Sequence, residues 1–109
     1  MDRLKPRVKI PESAKPDEVM EIRTMISHPM ETGYRRNTRG EIIPRHIIDR
    51  FTCEYAGQMV FEAKLGPGIA ANPYLSFYVK AVSTGPMTLT WHDDRGESQQ
   101  VVKQVNVEL

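Results

Sequence analysis

Apolar and polar side chains alternate with a period of two along most of this chain, and no window keeps the i, i+3, i+4, i+7 spacing of an amphipathic helix for more than a few residues. The pattern predicts a protein built of strands. A short segment, Arg7 to Ile10, stops at Pro11, and Glu18 to Ser27 then places Met20, Ile22, Thr24 and Ile26 on one face. Between Ile47 and Tyr55, the residues Ile47, Phe51, Cys53 and Tyr55 share the side predicted to be dry, while Ile48, Arg50, Thr52 and Glu54 take the other. Ala56-Gly57 reads as a tight turn, after which Met59, Phe61, Ala63 and Leu65 resume the alternation, so this pair predicts a hairpin.

Further along, Gly66-Pro67-Gly68 and Ala70-Ala71-Asn72-Pro73 interrupt any regular element. Tyr74 to Ala81 follows, with Leu75, Phe77, Val79 and Ala81 facing one way, and Ser83-Thr84-Gly85-Pro86 closes it. Met87, Leu89 and Trp91 line the next strand, Asp93-Asp94-Arg95-Gly96 forms a turn, and Val101, Val105 and Val107 belong to the last strand, interrupted by Lys103. About seven short strands with one apolar face each are suited to two stacked antiparallel sheets, so the expected architecture is an all-β, immunoglobulin-like sandwich. At 109 residues the chain is expected to be one domain over 1–109, because two smaller pieces would each bury too little apolar surface.

Charge narrows the function classes. Fifteen basic residues against fourteen acidic ones leave a formal net charge of +1, a poor basis for binding nucleic acid or an anionic membrane. No apolar stretch approaches the roughly twenty residues that a membrane-crossing helix needs. The first residues contain no apolar core of the signal-peptide kind, which by itself predicts a cytoplasmic chain. A single cysteine, Cys53, excludes an internal disulfide and sits on the predicted inner face of its strand, where a thiol is normally an inert small hydrophobe.

Residues 28–46 break the pattern. This connection is far longer than the usual four to six residues, and it concentrates Arg35, Arg36, Arg39 and Arg45 against only Glu31 and Glu41. Gly33 and Gly40, with Pro29 and Pro44, punctuate it as a hairpin extension of defined path, with Tyr34 as a candidate anchor against the sandwich. The bland reading is a solvated hairpin whose arginines keep an edge strand from pairing; the functional one is a partner-binding surface.

Three motifs carry a resemblance. Ile26-Ser27-His28-Pro29-Met30-Glu31-Thr32-Gly33, Ile43-Pro44-Arg45-His46-Ile47-Ile48 and Ala71-Asn72-Pro73-Tyr74-Leu75 together resemble the SoxZ family, supported by Arg7-Val8-Lys9-Ile10-Pro11 and Trp91-His92-Asp93-Asp94. Asn37 departs from the family, standing where an acidic residue is common, which weakens any charge pairing expected inside the loop. The resemblance implies a non-catalytic subunit of a periplasmic heterodimer used in thiosulfate oxidation. Its partner, SoxY, carries sulfur intermediates on a cysteine near a flexible Gly-rich C-terminus; the SoxZ subunit has neither arm nor chemistry and is exported with SoxY, lacking a signal of its own. On that reading His28, Met30, Arg35, Arg36, Arg45, Asn72 and Tyr74 are candidate partner-binding residues, with transient contacts to the Sox enzymes.

Other chemistry has little support in the spacing. His28, His46 and His92 lie at no ligand-like separation, and no second cysteine exists, so no metal or cofactor is expected. Gly66-Pro67-Gly68-Ile69-Ala70-Ala71 fits a nucleotide-binding glycine pattern only superficially, because no helix follows it. The rival reading is a stand-alone oxyanion-binding or sulfur-transfer enzyme in which the arginines hold the anion and Cys53 reacts.

Overall fold

In the computed structural model, which describes residues 5–69 and 71–109, the alternating segments become seven strands. Ala70 of the predicted loop and the first four residues lie outside the described residues. The strands are β1 (Arg7–Lys9), β2 (Val19–Met25), β3 (Ile48–Tyr55), β4 (Gln58–Lys64), β5 (Tyr74–Lys80), β6 (Gly85–Asp93) and β7 (Ser98–Val105). They form two antiparallel sheets, ordered β1-β2-β5 and β4-β3-β6-β7. The protein is a β-sandwich, as its alternation predicts.

The core lies between the sheets. Met20 and Ile22 of β2 and Phe77 and Val79 of β5 face Phe51, Cys53 and Tyr55 of β3 and Met87, Leu89 and Trp91 of β6, all buried. Phe51 joins the layers, its ring centroid 5.1 Å from Trp91 and 5.8 Å from Phe77, and Phe61 of β4 stacks on Phe77 at 4.2 Å. The β3–β4 turn takes Ala56 and Gly57 through φ of 54° and 74°, the doubly left-handed geometry that matches a hairpin's twist. Just before it, the Tyr55 hydroxyl donates to the Ser83 carbonyl and accepts the N–H groups of Val82 and Ser83, which pins the β5–β6 corner to β3.

Three strand-level expectations need correction. Ile48 and Thr52, assigned to the polar side of β3, are both buried. The pairing of β3 with β6 shifts register between Ile48 and Arg50, and this irregularity turns the chain so that Ile47 and Ile48 both enter the core. Thr52 sits mid-sheet, paired across to Glu62 and Thr90, and is covered from its own face. Met59, expected to be buried, is 48% exposed near the start of the edge strand β4. Finally, β7 ends at Val105; Val107 lies beyond it and bridges in parallel to Ala14.

Candidate functional site: an anchored basic hairpin

Residues 28–46 leave β2 and return to β3 as an irregular hairpin held at its root by buried polar groups. On the outgoing limb, the His28 N–H donates to Asn72 Oδ1 at 2.9 Å, and the Asn72 N–H returns a bond to the His28 carbonyl at 2.8 Å. Asn72 takes φ 53°, a left-handed conformation that asparagine tolerates better than most side chains. The Met30 N–H donates to His28 Nδ1 at 2.9 Å, which places the ring proton on Nε2, and Met30 Sδ accepts the Ile48 N–H at 3.3 Å. His28 is 2% exposed, and burial, then the neighbouring His46, pushes its pKa down.

The returning limb is tied to the β6–β7 turn. Glu31 and His46 exchange two backbone bonds of 2.8 Å, and His46 Nε2 bonds to Asp93 Oδ2 at 2.8 Å. The other Asp93 oxygen accepts the N–H groups of Arg95 and Glu97 at 3.0 and 2.7 Å. Arg45 Nε reaches Asp94 Oδ2 at 2.9 Å, while Asp94 Oδ1 accepts the Ile47 N–H at 3.2 Å. Burial by itself would raise both carboxyls, but these donors outweigh it and hold Asp93 and Asp94 below the ordinary aspartate range. The His28 and His46 rings meet edge to face, with centroids 4.8 Å apart.

Beyond the root, the tip organises itself. Arg36 and Ile42 form an antiparallel bridge, flanked by Asn37 N–H to the Glu41 carbonyl and Ile43 N–H to the Arg35 carbonyl, each 2.9 Å. Asn37 Oδ1 accepts the N–H groups of both Arg39 and Glu41, so this side chain shapes the turn. Arg36 donates to the Gly40 carbonyl at 2.7 Å, and Arg35 makes a two-point ion pair with Glu31. Gly33 has φ 86°, and a Cβ there would lie 3.2 Å from that of Arg45, so glycine lets the two limbs approach.

The candidate residues therefore separate into groups. His28, Met30, Asn72 and Arg45 converge on the root; Met30 and His28 are enclosed, so they act by holding the hairpin. Arg35 and Arg36 lie outward on the hairpin. Tyr74, at the start of β5, instead lines a shallow depression with Arg7, Lys9, Arg23 and Met25. Tyr34 does not anchor the loop: it is 83% exposed, because the Met30–Ile48 and His46–Asp93 bonds already fix the path without it. Sequence reasoning missed Asp93 and Asp94 as anchors and read them only as a turn. The available signal was two adjacent carboxylates matching the adjacent hydrogen-bond donors Arg45-His46.

Two of the three histidines meet, yet among the described residues no group of three or more His, Cys, Asp or Glu side chains is placed to hold a metal. Cys53 is fully buried between Phe61 and Leu89 on neighbouring strands, and burial, then the nearby Glu54, pushes its thiol up to about 12. A thiol in that state is not a nucleophile at neutral pH.

Comparison with known proteins agrees with this architecture. The family model for sulphur oxidation protein SoxZ matches residues 8–104, and the chain belongs to that family. This gives it a role in the sulfur-oxidising Sox system. No curated protein matches the chain in sequence. Among solved structures, a superoxide reductase (neelaredoxin) from Ignicoccus hospitalis superposes with a TM-score of 0.72 at 20% identity, covering 95% of this chain and 80% of that one. The sulfur carrier protein SoxY from Chlorobium limicola f thiosulfatophilum superposes with a TM-score of 0.65 at 16% identity, covering 95% of this chain and 79% of that one. At these identities the likenesses establish a shared sandwich fold and nothing about chemistry.

Proposed function

We propose that this chain is the non-catalytic half of a periplasmic SoxYZ-type carrier, exported with SoxY and bound to it as a heterodimer. SoxY bears the covalent sulfur intermediates of thiosulfate oxidation, while this subunit supplies a rigid body and helps dock the Sox enzymes that act on them. The observation that carries the reading is the enclosure of Cys53: a SoxZ-family sandwich whose one cysteine is sealed in the core has no exposed thiol with which to carry sulfur. The hairpin supports the docking role, since its root is fixed by the fold and its outer half is offered to solvent.

The test is co-expression with the cognate SoxY, followed by affinity capture and fractionation. The two chains should co-purify from the periplasm, and native Cys53 should resist a thiol reagent that labels it fully in denaturant. Sulfur transfer by the purified chain alone, abolished in Cys53→Ala, would establish the rival enzyme reading instead.

A further inference from the structure

The outer half of the hairpin has a composition that the chain's own packing does not explain. Arg35 and Arg45 are neutralised by Glu31 and Asp94, but among the described residues Arg36 and Arg39 have no carboxylate partner. Glu41 is the one acidic residue of the tip to set against them. Two large side chains of the same stretch stay mostly exposed, Tyr34 at 83% and Ile42 at 56%.

The ladder decides how they are grouped. The bonds on either side of the Arg36–Ile42 bridge make it a non-hydrogen-bonded pair, in which side chains stand close together on one face. Tyr34, two residues before Arg36 on the same limb of the hairpin, is exposed as well. A bridged arginine and isoleucine, with an exposed tyrosine two residues upstream and Arg39 at the turn beyond, thus make up the solvent-facing outer hairpin.

We propose that this patch, Tyr34, Arg36, Ile42 and the adjoining Arg39, is a docking surface for a folded protein that presents an apolar depression rimmed by carboxylates. Tyrosine and arginine are the residues that most often dominate binding energy at protein interfaces, and a guanidinium can take a carboxylate in two bonds. Pre-organisation points the same way, because the Asn37 turn and the anchored root fix the patch before any partner arrives and little ordering remains to oppose binding. Nucleic acid and anionic membrane fit less well: each gains mainly from many clustered cations, whereas here only Arg36, which donates to the Gly40 carbonyl, and Arg39 lack a carboxylate among the described residues, and the chain as a whole carries only +1.

The inference rests on the carrier reading and names the chemistry of the surface that visiting enzymes must offer. It is tested with the intact complex of this chain and SoxY, comparing wild type with Arg36→Glu/Arg39→Glu and, separately, Tyr34→Ser/Ile42→Ser. For at least one purified thiosulfate-oxidising Sox enzyme, each double variant should raise KM about tenfold or more with kcat within about twofold. SoxY co-purification and thermal midpoint should not change. Wild-type kcat/KM should fall between low and physiological salt, and the arginine variant should lose most of that dependence. Unchanged KM for every enzyme in both variants overturns the proposal. So does loss of SoxY from either variant, which would make the patch the subunit interface, and so does variant-sensitive binding of wild type to phosphatidylserine vesicles or duplex DNA. Failure of the wild-type chain to hold SoxY at all defeats the carrier reading itself and registers before any variant is made.

Discussion

The root and the tip of the 28–46 hairpin are stretches of one connection built on opposite rules. At the root most polar groups are spent on the protein itself: Met30 fills the core and accepts an N–H, Asn72 bonds the His28 backbone, and Asp93 takes three donors at once, while His28 Nε2 stays buried with no hydrogen-bond partner. At the tip, backbone groups are satisfied locally by Asn37, while Tyr34, Arg39 and Ile42 project outward. The lesson is a division of labour: buried polar groups must find partners or cost the fold, so a costly root fixes geometry, and exposed groups remain free for another molecule.

Breaking the root should have the largest effect. Asp93→Ala removes a carboxylate whose side chain is 0% exposed and strands His46 Nε2 and the Arg95 and Glu97 N–H groups, so stability should fall by about 3 kcal/mol in chemical denaturation. Asn72→Ala deletes the acceptor for the His28 N–H and places alanine at φ 53°; the expected loss is about 1.5 kcal/mol, with faster amide exchange at His28.

Acid should loosen the root in two separate windows. His28, held below its ordinary value near 6.5, stays neutral in the fold while the unfolded chain becomes charged, so its contribution is full above about pH 6.5 and declines as pH drops below that. The groups facing it are His46, Asp93, Asp94 and Arg95. Asp93 and Asp94 act lower: their contribution is present above the ordinary aspartate value near 3.9 and is lost as pH falls through their depressed folded values. Denaturant midpoints measured across both windows should show two declines, and His28→Gln should remove the upper one alone.

The tip should give the smallest response. Tyr34→Ser and Ile42→Ser should each change stability by less than ~0.5 kcal/mol, because neither side chain is buried in this chain. A loss comparable to that of Asp93→Ala would erase the contrast between the two regions.

How far these features were legible depends on how local each one is. The inner faces of β2 and β6 follow from alternation within a few residues, and the Ala56-Gly57 turn from its own dihedral preferences. The long basic connection announces itself by length and charge. The anchors do not, since Asp93 meets His46 across 47 residues and His28 meets Asn72 across 44, and no pattern within a strand encodes such a pairing.

By itself, the sequence determined that the protein is made of strands, which faces most of them bury, and that one arginine-rich segment stands apart from them. Tertiary structure alone decided that a register shift draws Ile48 inward beside Ile47, that the β6–β7 turn clamps the hairpin, and that Tyr34 faces solvent. The physical reason is one of range. Periodicity is a property of neighbouring residues, whereas burial and ion pairing depend on which distant segments the packed sheets bring together.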